Sequence, residues 1–155
     1  GIETYPMIGA PLVMVYNFPF TNKLVHSNLV LDGPSIARMY LGNKVGPSPH
    51  FQFALFSTRG LNGSTNLAKW NDPYLLNLNK NNSEILSQLN TGNTITLVRR
   101  EDSSGSTFIF TNALCSFSEE WNSTVGNGQV VNWPVPTVNV SGSPGTAFSL
   151  SLSLS

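Results

Sequence analysis

The chain has 155 residues, of which 40% are hydrophobic and 10% are charged. This length and hydrophobic content exclude a disordered chain and are typical of a single folded domain. The formal net charge is zero, which excludes the positively charged surface that nucleic-acid binding requires, so we expect no nucleic-acid partner.

The first third of the chain alternates short apolar runs with turn residues. Residues 1–11 contain two prolines and two glycines and are interpreted as an N-terminal arm. Residues 12–16 are apolar and residues 24–31 are mostly apolar, and these runs predict two strands. The second strand is closed by Asp32-Gly33-Pro34, which predicts a turn. Residues 35–41 fit either a helical turn or an edge strand.

The middle of the chain predicts a third strand and one short helix. Residues 51–57 alternate apolar and polar side chains as a strand does. The helix is predicted at about 82–90, because Asn81 and Glu84 have the spacing of a capping box. The apolar residues that follow Glu84 recur on one helical face.

The stretch 94–117 has the clearest pattern and is interpreted as a β-hairpin at the centre of a sheet. Apolar and β-branched residues at 94–98 and 107–111 flank a polar loop that contains Gly105. The second run continues to residue 117 and has apolar residues at both odd-numbered and even-numbered positions. Such a strand is covered on both faces or contains a bulge.

The C-terminal part is interpreted as loops and strands. Residues 119–128 are a polar loop, residues 129–133 a strand that ends at Pro134, and residues 136–140 a short edge strand. Residues 146–155 alternate apolar residues with serine, the purest strand period in the chain. This last strand is expected to pack in the core or against a symmetric partner.

Together these elements predict an all-β fold, an antiparallel β-sandwich or jelly-roll-like domain of about seven to nine strands with one short helix. Residues 1–155 are expected to form a single domain. Because the chain begins with Gly1 rather than Met, we interpret it as a processed product or a domain excised from a longer chain. No apolar run approaches the ~20 residues of a membrane span, so we expect no membrane insertion.

The residues that could perform chemistry are few. The two histidines and eight acids lack the spacing of a zinc site, and no glycine-rich phosphate loop is present. Glu119 and Glu120 are adjacent and would point to opposite faces of a strand. The single cysteine, Cys115, lies in an apolar run and is interpreted as a buried thiol. We therefore expect no enzyme activity, no cofactor and no metal.

Two clusters of aromatic and amide side chains are candidate ligand contacts. An aromatic ring can pack against the apolar face of a sugar while amides and carboxylates bind its hydroxyls, so the clusters predict glycan or receptor binding. The commoner role of such residues is to anchor loops in the fold, and this alternative stays open. The candidates are Trp70, Asn71, Asp72, Tyr74, Trp121 and Asn122.

The low charge, the predicted strands and the lack of disulfides favour a non-enzymatic surface domain for recognition and assembly. We expect an outward-facing projection or receptor-binding domain of a viral capsid or spike protein, on the virion surface or extracellular. Its partners would be a host-surface receptor or glycan and further copies in a homo-oligomer. The alternatives are a carbohydrate-binding module or lectin, and a bacterial adhesin or pilus-type subunit.

Overall fold

The computed structural model of the chain describes residues 11–18, 27–42 and 69–142. Within these ranges the chain forms short helices and one sheet of two parallel strands. The elements are, in chain order, α1 (Gly33–Leu41), α2 (Pro73–Leu78), α3 (Ser83–Leu89), β1 (Val98–Arg100), α4 (Gly105–Phe117), α5 (Glu119–Thr124) and β2 (Val138–Val140). The fold is mixed α/β, so the predicted all-β sandwich or jelly roll is wrong. None of the helices in these ranges is both long and apolar enough to span a membrane.

The predicted turn at residues 32–34 is the start of α1. Asp32 is the N-cap, and its carboxylate accepts the Ser35 N–H at 2.8 Å while the Ser35 hydroxyl accepts the Asp32 N–H at 3.0 Å. Pro34 fits the second helical position, because an N–H there would have no helical partner. The ambiguous residues 35–41 are therefore helical.

The predicted hairpin at 94–117 is the largest error. Its first part contains a strand of only three residues, β1, which pairs in parallel with β2 so that Val98 lies opposite Val138. Its second part is the helix α4. Strand and helix are joined by residues 101–104, which the prediction placed in the loop of the hairpin.

α4 forms because its first turn and its buried face both favour a helix. Ser104 caps the helix, since its hydroxyl accepts the Ser106 N–H at 3.2 Å. Thr107, Thr111 and Leu114 are buried and recur with the spacing of one helical face. The β-branched and aromatic residues that predicted a strand have only a weak local preference, which this packing overrides.

The short helix predicted at 82–90 is confirmed as α3. Its N-cap is Asn82 rather than Asn81, and the Asn82 side chain accepts the Ile85 N–H at 3.1 Å. Ile85 and Leu89 are fully buried. The apolar face inferred from the sequence is thus the face that packs into the core.

The other predicted elements have mixed outcomes. Residues 12–16, 27–31 and 129–133 form no strand. α5 lies within the predicted loop 119–128, and β2 lies within the predicted edge strand. The predicted strands at 51–57 and 146–155, and residues 1–10 of the predicted arm, lie outside the described residues. The single-domain organisation of residues 1–155 stays a prediction.

Aromatic rings join the helices in the core. Tyr40 of α1 contacts Phe110 of α4 and Trp133, with ring centroids 5.1 and 5.4 Å apart. Trp121 of α5 is fully buried and contacts Trp133 at 5.7 Å. These contacts hold α4 against α1, α5 and the segment that leads to β2.

Candidate functional site

A polar loop of four residues joins an arginine at the end of β1 to the N-terminus of α4. Arg100 is the last residue of β1, and residues 101–104 lead directly to Gly105, the first residue of α4. The first four N–H groups of a helix have no helical partner, and the helix dipole adds a partial positive charge there. A cationic side chain and a helix N-terminus are thus separated by four loop residues.

Only a neutral hydroxyl caps the N-terminus of α4. Ser104 is 4% exposed and accepts the Ser106 N–H, and no acidic residue lies in the first turn. Gly105 and Ser106 are exposed. The space beside Gly105 is open, since a Cβ there would have no atom within 4 Å. An anion that approaches these N–H groups would meet the Ser104 hydroxyl and no charged cap.

Asp102 fixes the orientation of the Arg100 guanidinium. Arg100 Nε donates to Asp102 Oδ1 at 3.0 Å and Nη2 donates to Oδ2, while the Gly142 N–H donates to Oδ1 at 3.1 Å. The hydrogen bond from Arg100 and then that from Gly142 hold the pKa of the Asp102 carboxyl well below its usual range. Arg100 Nη1 makes no hydrogen bond to any residue that the structure describes, so this donor is available to a ligand.

The parallel sheet supports both members of this ion pair. Arg100 lies opposite Val140 in the ladder, and the Glu101 N–H donates to the Val140 carbonyl at 2.9 Å. Gly142, which binds Asp102, comes two residues after the end of β2. The short sheet therefore positions the guanidinium relative to the start of α4.

The residues of the first predicted cluster, at 70–74, make contacts within the fold. Trp70 is 8% exposed, and Asp72 caps α2 by accepting the Tyr74 N–H at 2.8 Å. The Tyr74 hydroxyl donates to Asp32 at 2.5 Å. Burial, followed by this hydrogen bond, raises the pKa of Tyr74 to about 12. Asn71 is exposed.

The second predicted cluster lies on α5. The fully buried Trp121 donates its Nε1–H to the Gly126 carbonyl at 2.9 Å, and Asn122 is exposed on the same helix. No hydrogen bond or ring contact joins this cluster to residues 70–74 within the described part of the chain. The structure therefore does not bring the six predicted contacts together.

The sequence pattern did not predict the candidate site at α4. In the sequence, Arg99 and Arg100 are followed directly by Glu101 and Asp102, and residues 101–106 belong to the polar loop of the predicted hairpin. One signal was present. A run of serine and glycine at 103–106 precedes residues 107, 111 and 114, whose spacing is helical, so that run reads as a helix N-terminus.

No family model matches the chain, but it is similar to proteins named phosphate-binding protein PstS. The one from Pasteurella multocida is 31% identical over 130 residues, which cover 84% of this chain and 28% of the relative. The protein from Haemophilus influenzae is 30% identical over 129 residues, which cover 83% of this chain and 29% of the relative. The protein from Methanocaldococcus jannaschii is 29% identical over 134 residues, which cover 86% of this chain and 27% of the relative. The chain thus spans less than a third of the length of these relatives.

These similarities overturn the predicted function. The relatives come from cellular organisms and are named for binding phosphate, so the viral capsid or spike domain and the virion-surface location are wrong. The host receptor or glycan partner is wrong for the same reason, and the lectin and adhesin alternatives fall with it. The relatives are named for binding and not for catalysis.

Proposed function

We propose that this chain binds inorganic phosphate at the N-terminus of α4, as part of a phosphate-binding protein. The observation that carries the proposal is that a loop of only four residues joins Arg100, whose guanidinium is held by Asp102, to the open, uncharged start of α4. Helix N-termini are preferred anion sites, and arginine suits phosphate because its donors match the phosphate oxygens. The names of the similar proteins support phosphate as the anion.

Binding would exchange one weak hydrogen bond for several stronger ones. The Ser106 N–H now donates to the Ser104 hydroxyl at 3.2 Å, at the long end of the range for such a bond. A phosphate oxygen would take the place of that hydroxyl as acceptor, and Ser104 would then be able to donate its own hydrogen. The Gly105 N–H and Arg100 Nη1 would supply further donors. Hydrogen bonds to a charged acceptor are about twice as strong as those between neutral groups.

We further propose that the protein works by binding alone and acts outside the cytoplasm. The low proportion of charged residues and a sequence rich in asparagine, serine, threonine and glycine support the location. For the role, the site has donors for an anion but no activated nucleophile. Asp102, the acid closest to Arg100, is held as a carboxylate by its hydrogen bonds.

A charge-matched pair of substitutions tests the site. Arg100→Gln removes the guanidinium at the site, and Lys80→Gln removes one positive charge from an exposed position between α2 and α3. We expect Arg100→Gln to weaken phosphate binding roughly 10- to 100-fold in isothermal titration calorimetry, and Lys80→Gln to leave it within about twofold.

The proposal fails on either of two results. One is a wild-type chain that binds no phosphate at millimolar concentration. The other is an equal loss of affinity in the two variants, which would indicate a general effect of net charge.

A further inference from the structure

Gln129 contacts the loop that carries the candidate phosphate site. Its side-chain Oε1 accepts the Ser103 hydroxyl at 2.8 Å, and its backbone carbonyl accepts the Ser104 N–H at 3.3 Å. Two consecutive loop residues, the second of which caps α4, are thus bound to one residue distant in sequence. Sequence pattern gives no indication of this contact.

The residue before Gln129 is anchored to the body of α4. The buried Thr111 hydroxyl lies 3.1 Å from the Gly128 nitrogen and 3.2 Å from the Gly128 oxygen, in addition to 2.9 Å from the Thr107 carbonyl. Gly128 and Gln129 therefore connect the middle of the helix to the loop at its start. We call this pair of residues the brace.

We propose that Gln129 is a positioning residue for phosphate, acting through Ser103 to hold the loop between β1 and α4 in its binding geometry. The inference rests on the proposed function and goes beyond it. Gln129 itself does not bind the ligand. A loop that is already ordered loses less conformational freedom when the ligand binds, so the brace raises affinity without a contact of its own.

The brace also assigns different roles to neighbouring serines. The hydroxyl hydrogen of Ser103 is donated to Gln129, whereas Ser104 and Ser106 stand at the helix start. If Ser103 instead donated to phosphate, Gln129 would compete with the ligand for it. The two possibilities predict opposite effects of removing the Gln129 acceptor.

The test is a double-mutant cycle for phosphate binding in the full chain. Gln129→Met keeps the length of the side chain and removes its acceptor, Ser103→Ala removes the donor, and the third variant combines them. Asn127→Ala, at an exposed position of the same segment, is the matched control. Affinity and dissociation rate are measured with inorganic phosphate, and amide hydrogen exchange of Ser104 is measured without it.

We expect each single variant to bind phosphate roughly threefold to fivefold more weakly, mainly through faster dissociation. The double variant should be no weaker than the weaker single one, because both remove the same hydrogen bond. Exchange at Ser104 should be faster in Gln129→Met and unchanged in Asn127→Ala, while the melting temperatures of all variants stay close to that of the wild type.

Three results would overturn the inference alone, with the wild type still binding phosphate. They are an unchanged or higher affinity in Gln129→Met, additive losses in the double variant, and a loss in Gln129→Met matched by Asn127→Ala. A wild-type chain that binds no phosphate overturns the proposed function as well. In that case, the amide hydrogen exchange of Ser104 still shows whether the brace orders the loop, although the loop then binds no phosphate.

Discussion

The N-termini of α1 and α4 begin with the same residue and differ in how they are capped. Each helix has glycine at its first position, Gly33 and Gly105. α1 is capped by the carboxylate of Asp32, which also accepts the Tyr74 hydroxyl. α4 is capped by a serine hydroxyl through one bond of 3.2 Å. α1 thus satisfies its positive end with a negative charge of its own, and α4 does not.

Packing adds to the difference. A Cβ on Gly33 would lie 2.6 Å from the Phe117 ring, whereas a Cβ on Gly105 would meet nothing within 4 Å. One helix start packs against Phe117, and the other is open and follows Arg100 after a loop of four residues. The unpaired N–H groups and the dipole are common to all helices. The charge of the cap and the space in front of it decide whether they serve structure or a ligand.

The largest effect is expected from giving α4 the cap of α1. Ser104→Asp places a carboxylate on the helix N–H groups, where it would repel an oxyanion. We expect phosphate affinity to fall at least roughly 100-fold, since like charges placed together in a binding site cost several kcal/mol. Isothermal titration calorimetry measures this loss, and circular dichroism shows whether the variant is folded.

Ser104→Ala is the control for this variant. It removes the cap without adding charge and should lower the free energy of unfolding by about 1 kcal/mol, with a much smaller loss of affinity. If Ser104→Asp bound phosphate as well as Ser104→Ala does, the charge of the cap would not explain the difference between the two helices.

An intermediate effect is expected from placing the same methyl group on both helix starts. Gly33→Ala forces the Phe117 ring to move and should lower the free energy of unfolding by about 1–3 kcal/mol. Gly105→Ala should change it by less than about 0.5 kcal/mol. The new Cβ at Gly105 would occupy the space that a ligand needs, so phosphate affinity should fall roughly tenfold.

Urea denaturation and phosphate titration of both variants separate the two roles. We expect Gly33→Ala to lose stability and keep its affinity, and Gly105→Ala to do the opposite. Equal losses of stability would mean that the space beside Gly105 is filled, contrary to the structure.

Part of this fold was predictable from local sequence. α3 was found because a capping residue and an apolar face coincide within nine residues of chain, 82–90. α4 was missed because Phe108, Ile109 and Phe110 favour a strand locally, and the contacts that make the segment helical come from elsewhere. Thr111, for example, pairs with Gly128. Apolar residues at both odd-numbered and even-numbered positions are compatible with a helix as well as with a strand covered on both faces.

The site could not be predicted from charge counting. The charges of Arg100 and Asp102 sum to zero. The Asp102 carboxylate nevertheless orients the guanidinium through two hydrogen bonds and leaves Nη1 available. The prediction of a glycan partner was wrong for a related reason, because composition does not show which aromatic rings are buried. Trp121 resembled a sugar platform in sequence, but its ring is fully buried and its Nε1–H is bonded to Gly126. Composition indicates which groups are present, and only the fold shows which of them face a ligand.

The smallest effect is expected from titrating the carboxylate beside α4. Arg100 and Gly142 lower the pKa of Asp102 in the folded chain, while an unfolded aspartate titrates near a pKa of about 3.9. A lowered pKa in the folded state contributes stability that is complete above the unfolded value and is lost as pH falls below it. The contribution of Asp102 should therefore be constant from about pH 6 to 8 and decline below about pH 4.

Asp102→Asn tests this expectation through urea midpoints at pH 7 and pH 3, with Glu101→Gln as the control for loss of one neighbouring negative charge. The midpoint difference between wild type and Asp102→Asn should be larger at pH 7 than at pH 3. An equal difference at both pH values would mean that the ion pair does not lower this pKa. Because both charges of the pair persist between pH 6 and 8, a change in phosphate affinity over that range has to come from the ligand or from another group. The neutral cap of α4 would then act together with an arginine whose orientation does not depend on pH.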